Sequence, residues 1–494
     1  MSDKARFRWG WGVALAVLAV LPYGRGLNHA LVYDDHGVLV ENEFIARPSN
    51  AWRVATFRTW MDPSVVDGQR PLVVASYFAD RWAWGLWPPG YRLTNLLLHG
   101  ANTLLVFAIL YGLPGMRFRG KPWPAVLVTL GFGWHPLAVE AVQSPAFRED
   151  TLATLGGLVL LATLLRPAVT GRNAALGIVA YAFALLAKES AVAFPCILVA
   201  GWWCFPECRP AAPFRRRLVV ALALITAVYL GALFARGDVQ AVGAAWNGHA
   251  LRGMERIWTP PWLLYHVQQT MLVPLSLSVD YRFNPVTGPG DPRFVAGLFI
   301  IGIMATAFAL TRARYPALAW GLAWTIIAYA PVSNLVPLLN PVADRYAYSL
   351  LPGFLLVVAG VLGFLRLRGV LAGLLLVGAY LGLTVNRLED WRDDRALWEA
   401  ALRVEPDSAR AHTWLGLLEK AEGNREAART FFQRAETLNP HDVSAAVNLA
   451  VLAGEDGDLV EAERILRAVL DRRPDHAIAR KNLELCLELQ TRRE

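Results

Sequence analysis

The chain has 494 residues, of which 55% are hydrophobic and 19 are Trp, and its mean hydropathy is +0.35. That is too apolar for an ordinary water-soluble enzyme; a helix crosses a bilayer with about 20 apolar residues, and runs of that kind recur, so a polytopic membrane protein is expected. The net charge of +8 is scattered between the apolar runs, which excludes the basic face of a nucleic-acid binder.

In chain order, eleven spans are predicted at 9–27, 91–112, 124–140, 150–166, 172–188, 190–206, 217–235, 294–311, 316–333, 349–366 and 370–387. The first has a basic flank (Lys4, Arg6, Arg8) like a signal peptide but no clear small-residue cleavage site, so it reads as a retained anchor. Short connectors rich in Lys and Arg mark the cytoplasmic side. By that rule the amino terminus and the groups Arg117/Arg119/Lys121, Arg166/Arg172, Arg209/Arg215/Arg216/Arg217, Arg312/Arg314 and Arg366/Arg368 lie inside. Residues 262–279 are moderately apolar, and counting them as a span would put Arg312 and Arg314 outside. They are therefore read as a re-entrant or interfacial helix. The carboxyl terminus then lies outside, with outer loops at about 28–90, 141–149, 236–293 and 334–348. Cys196, Cys204, Cys208 and Cys486 form no CxxC pair, which gives no sign of a disulfide framework or a zinc site.

After residue 388 the chain turns charged and rich in Ala and Leu. Pro406, Pro440 and Pro474 recur at a spacing of 34, as do Gly423 with Gly457, Ala428 with Ala462 and Asn448 with Asn482. With Trp414, Leu415 and Gly416, this is the tetratricopeptide (TPR) pattern. A leading helix at 391–404, two full repeats and a closing helix at 475–490 are expected. Each helix pair buries its apolar face only by stacking on neighbours, so an array this short is expected to lean on the membrane domain. The fold class is thus all-α, with a polytopic membrane domain over 1–388 and a TPR domain over 389–494 on the extracytoplasmic side. The repeats offer a concavity for a protein partner, or else a structural cap.

Ionisable residues at membrane depth are costly and are functional candidates. Asp34 and Asp35 follow the first span; Arg92, Asn95 and His99 open the second. His135 and Glu140 lie where the third emerges, and Arg148, Glu149 and Asp150 where the fourth begins. Lys188 and Glu189 turn between the fifth and sixth, and Asp344 and Arg345 precede the tenth. The plainer readings are an ion pair at Lys188–Glu189, a helix-end His135, and interhelical hydrogen bonds at Asn95 and His99. No HExxH and no Gly-rich phosphate loop is present. The Asp pair offers hard oxygen ligands to a divalent cation, a weak signal from two carboxylates, so a metal stays undetermined.

The segments YDD (33–35), QRPL (69–72), PPGYRLTNLLLH (88–99), HPLAVEAV (135–142), REDTLA (148–153), AKES (187–190) and ADRYAY (343–348), with DWRDDRALWEAAL leading into the repeats, resemble the multispan O-mannosyltransferases with carboxyl-terminal TPRs and their bacterial relatives, of the GT-C class. The resemblance implies a GT-C-like fold and inverting transfer of a sugar, mannose in the named family, from a polyprenyl-phosphate donor to an acceptor hydroxyl on a protein or surface glycan at the outer membrane face. It assigns the general base to Asp34, with Asp35 in support or in its place. Arg148, Lys188 and Arg345 become candidates for the donor phosphate, and Arg92, Asn95, His99, His135, Glu140, Asp150 and Glu189 for acceptor contacts or support. Arg92 stands where the family usually has His, Glu149 where a small or basic residue is usual, and SLLPGF after Tyr348 is two residues longer than the family's run. A bacterial inner membrane, with undecaprenyl phosphate as the lipid and the TPRs in the periplasm, is the expected setting. The alternatives are an O-oligosaccharyltransferase or O-antigen-ligase type of enzyme, whose key loop lies late in the membrane domain, and a non-enzymatic membrane-anchored TPR scaffold.

Overall fold

The computed structural model describes residues 3–113, 123–236, 251, 253–336 and 338–492; Arg117, Arg119 and Lys121 lie outside them, as does most of 236–252. Every element among the described residues is helical. Among the described residues, four helices are long and apolar enough to cross a membrane: Pro88–Gly112, Ala212–Arg236, Pro292–Thr311 and Arg366–Asp390. Shorter apolar helices, among them Trp123–Gly133, Gly171–Ala187, Pro316–Tyr329 and Leu351–Phe364, fall on other predicted spans. The chain is an integral membrane protein, although this criterion counts four crossings and not eleven.

The helix ends follow from local chemistry. The predicted 124–140 span is two helices, Trp123–Gly133 and Ala138–Gln143, because the residue before a proline is pushed out of the helical region and His135 precedes Pro136. Residues 262–279 also differ from expectation: the helix runs Glu255–Leu272 with Pro260 and Pro261 inside it, and it stops where Val273 meets Pro274. The large loop at 28–90 holds a further helix, Pro71–Trp84, opened by a proline at its first position where the missing N–H is no loss.

Small residues let the apolar helices approach closely, as in other membrane bundles. Arg148–Leu164 lies against Gly171–Ala187, where a Cβ on Gly156 would stand 2.5 Å from the Ala180 carbonyl oxygen. Pro316–Tyr329 lies against Leu351–Phe364, where a Cβ on Gly321 would stand 2.7 Å from the Gly353 carbonyl oxygen. By contrast, Ala212–Arg236 and Pro292–Thr311 expose Leu224, Val228, Phe234, Phe299 and Leu310, the faces expected to meet lipid tails.

The repeats follow the 34-residue pattern: a leading helix Asp394–Val404, the pairs Ala409–Ala421/Arg425–Leu438 and Ser444–Glu455/Leu459–Arg472, and a closing Ala477–Thr491. Gly423 and Gly457 both have φ +87°, the left-handed turn that glycine adopts without a steric penalty. The first repeat is not a separate body. Trp391, Leu397, Trp398, Ala411 and Leu415 are buried in one continuous core with Tyr33, Phe147 and the membrane helices.

Candidate active site

The charged connections singled out in the sequence converge at one end of the helical bundle, against the first repeat. Asp35 is fully buried. Its Oδ1 accepts from the Ser144 hydroxyl at 2.8 Å and the Ala146 N–H at 2.9 Å, and its Oδ2 from the Val32 N–H at 3.2 Å. Burial raises its pKa, while those donors and the Arg92 guanidinium oppose the rise. Both oxygens are thus occupied in tying the loop after the first helix to residues 144–146.

Asp34 is different. Its carboxylate is half-buried, and no hydrogen bond or ion pair reaches it among the described residues. Burial pushes its pKa up to about 6; the charges of Arg345 and Arg410 pull it down, and those of Asp35 and Glu149 add to the rise. The residue before it, Tyr33, has φ +54°, sparsely used by residues with a Cβ. The Tyr33 ring meets Trp398 edge-on at 5.3 Å, with Trp414 at 6.3 Å and Phe147 at 6.2 Å.

Of the three cations expected at a phosphate, the structure treats each differently. Arg345 pairs through Nη1 with Glu140 Oε1, and its backbone N–H donates to Glu140 Oε2 at 2.9 Å. Its guanidinium carbon lies 4.0 Å from the centroid of the Phe147 ring. Its buried Nε has no partner among the described residues. Lys188 pairs with Asp150 at 2.6 Å and more loosely with Glu149 at 3.5 Å. Arg148 is fully enclosed: Nε donates to Asn95 Oδ1 at 2.7 Å, Nη1 to Ser76 at 3.1 Å, and Nη2 to Asp80 and to the Tyr91 carbonyl oxygen. A cation so committed has little left to offer an incoming phosphate.

The residues expected at the acceptor or in support mostly hold backbone. Arg92 donates to the carbonyl oxygens of His29, Ala30 and Gln143. Asn95 donates to those of Val142 and Ser144. His99 bridges Tyr348 at 2.8 Å and the Gly133 carbonyl oxygen at 3.1 Å. His135 Nε2 lies 2.8 Å from the Met271 carbonyl oxygen, deep in the bundle. Glu189 pairs with Arg70 at 3.2 Å.

Several residues escaped the sequence reading. Arg70 reaches Glu189, Asp67 and Glu149. Arg387 pairs with Asp344, which also accepts from Tyr281; burial raises the Asp344 pKa to about 7. From the repeats, Arg410 pairs with Asp280 at 3.1 Å and donates to the Tyr33 hydroxyl at 3.4 Å. It also lines a cleft of about 230 Å³ between residues 279–284, 338–342 and the first repeat. Arg70 lies in the quoted QRPL segment, a signal that was there to read. Asp394 likewise lies in the quoted DWRDDRALWEAAL segment, whereas Asp80 and Arg410 carry no such signal, because their partners lie far away in the chain. No cluster of three His, Cys, Asp or Glu side chains could hold a metal among the described residues. A cation on the Asp pair would have to share Asp35 with the three hydrogen bonds it already accepts, two on Oδ1 and one on Oδ2.

The tetratricopeptide repeat family matches residues 387–443 and 419–484. Over most of its length the chain is similar to curated proteins: protein O-mannosyl-transferase TMTC4 of Mus musculus, 24% identical over 85% of this chain and 65% of that protein; Tmtc3 of Drosophila melanogaster, 22% identical over 88% and 56%; and TMTC1 of Homo sapiens, 24% identical over 91% and 57%. The chain therefore spans between about half and two thirds of the length of these relatives. Among solved structures, ArnT from Cupriavidus metallidurans bound to undecaprenyl phosphate superposes with a TM-score of 0.43 at 16% identity, covering 93% of this chain and 80% of that one. In its apolar helices and in its repeats alike, the chain resembles the protein O-mannosyl-transferases.

Proposed function

We propose that the chain is an inverting glycosyltransferase that moves a sugar, mannose by its relatives' name, from a polyprenyl-phosphate donor to an acceptor hydroxyl on a protein or surface glycan at the outer membrane face. The observation that carries this reading is the contrast within the Asp pair. Asp35 is held by three donors, whereas Asp34 is unbonded, half-buried and lifted toward the pKa that a general base needs. In the reaction the acceptor oxygen attacks the anomeric carbon on the face opposite the phosphate. Its proton passes to the Asp34 carboxylate, and the bond from carbon to phosphate oxygen breaks with its electron pair left on the polyprenyl phosphate. The anomeric configuration inverts.

Arg345 is assigned to the donor phosphate, since its planar fork suits phosphate oxygens, its Nε has no partner among the described residues, and its charge acts on Asp34. Lys188 supplies positive charge from behind Asp150, and Arg148 is assigned to holding the Pro71–Trp84 and Pro88–Gly112 helices together. In this reading residues 1–388 form the catalytic membrane domain. Residues 389–494 face the same outer compartment, a bacterial periplasm, and the cleft beside Arg410 admits the acceptor. Reconstitution with a panel of polyprenyl-phosphate sugars, scored for donor consumption in the presence of Ser- and Thr-containing peptides, tests the reading. Consumption of one donor, lost in Asp34→Asn, is expected; no consumption of any would overturn it.

A further inference from the structure

Asp34 follows a residue that local forces alone would not hold in place. Tyr33 adopts φ +54°, and such geometry persists only where the surroundings over-determine it. Here the determination comes from 361 residues away. The Tyr33 N–H donates to Asp394 Oδ1 at 2.8 Å, and His36 Nε2 meets Asp394 Oδ2 at 2.7 Å. One carboxylate therefore grips the chain on both sides of Asp34 and Asp35. The Ala30 N–H donates to the Arg392 carbonyl oxygen at 2.9 Å, and Trp398 and Trp414 wall the Tyr33 ring.

We infer that Asp394 of the repeat segment is a positioning residue for sugar transfer: it clamps the strained 33–36 turn and so fixes where Asp34 points. The inference rests on the assignment of Asp34 as base. The clamp is separable from helix formation, because the neighbouring Asp393 caps the Asp394–Val404 helix, accepting from the Ala396 N–H at 2.8 Å. The leading helix of the repeat segment thereby acts on catalysis through the turn, over and above any role of the repeats in holding a partner.

The test uses the full chain in lipid nanodiscs, with Asp394→Leu, Asp394→Asn and His36→Ala beside the wild type. Amide exchange followed by mass spectrometry over residues 31–42 should speed up about tenfold or more in Asp394→Leu, with residues 409–472 unchanged, and less in Asp394→Asn, which keeps an oxygen for the Tyr33 N–H. With undecaprenyl-phosphate mannose and a Ser/Thr peptide pool, kcat should fall by roughly tenfold or more, since small misplacements of a catalytic group cost that much. Both KM values should stay within about twofold, because no binding group is touched. Wild-type exchange at 31–42 in a folded Asp394→Leu protein would overturn the inference. Should that variant loosen the repeats themselves, His36→Ala decides, since it leaves them intact: faster exchange at 31–42 sustains the clamp and unchanged exchange refutes it. Wild-type transfer by Asp34→Asn would instead remove the base assignment and leave the exchange result standing.

Discussion

Replacing Asp34 by Asn should remove activity and add stability, two effects of opposite sign from one change. A positioned general base contributes typically about 10²–10⁴-fold in rate, or roughly 3–5 kcal/mol of barrier, so transfer should fall by at least that factor. The stability effect follows from the carboxyl's pKa, lifted from 3.8 to about 6. When the folded value of an acid is raised, the fold favours its neutral form. The cost of ionising it is absent below the unfolded value, grows as pH rises, and is complete above the folded value. Each unit is worth about 1.4 kcal/mol, and water reaches this half-buried group, so the cost at neutral pH is roughly 1–3 kcal/mol. Asn carries no such cost. The variant should therefore melt above the wild type at pH 7.5, and the gap should close below about pH 4. Donor consumption in proteoliposomes and thermal melts of the same samples read both quantities. Rates within about threefold of wild type, or a variant less stable at pH 7.5, would refute the reasoning.

The wild-type rate should drop nearly tenfold per pH unit below about 6, as the Asp34 carboxylate takes up its proton; a pH–rate profile flat to pH 5 would contradict that base. Arg345→Lys keeps a charge for Glu140 but loses the planar fork, so the donor KM should rise about tenfold with little change in melting, as donor saturation curves will show. Arg148→Met leaves Asp80 buried and unpaired, a loss of about 3–5 kcal/mol, and should appear as a folding defect in melts; a raised donor KM with normal melting would return Arg148 to the phosphate. Because three donors already hold Asp35 and no group of three His, Cys, Asp or Glu stands ready for a metal among the described residues, a chelator should leave turnover within about twofold. Loss restored by added magnesium or manganese would show otherwise.

Periodic features of the fold were legible in the sequence. The 34-residue spacing of Pro406, Pro440 and Pro474 located the repeats, and the flanking helices expected at 391–404 and 475–490 are observed at Asp394–Val404 and Ala477–Thr491, since stacking demands the same small and turn-forming residues at each step. Apolar runs located the bundle helices for a similar reason: a lipid-facing helix repeats one chemistry along its length. Aperiodic features were not legible. The helix Pro71–Trp84 mixes Arg81 and Asp80 with apolar residues, and what makes it part of the site is an ion pair between Asp80 and Arg148, 68 residues later. The candidate cations were found by type, but which remain available depends on partners that only folding brings together: Arg148 is spent on Asp80 and Asn95, while Arg345 keeps its Nε. Asp34 could likewise be told from Asp35 only by the donors gathered around the second of them.

The link between Tyr33 and Asp394 also sets a schedule. The turn leaves the ribosome early, yet the carboxylate that grips it is made 361 residues later, roughly tens of seconds at ordinary rates of synthesis. Until then the loop has the Asp35 bonds to Val32, Ser144 and Ala146 but lacks the grip on Tyr33 and His36, and the helices up to Arg366–Asp390 are made before the two can meet. On the assignment of Asp34 as base, a nascent chain would thus carry its membrane helices before it carries a fixed base, and transfer would begin only after residue 394 is made.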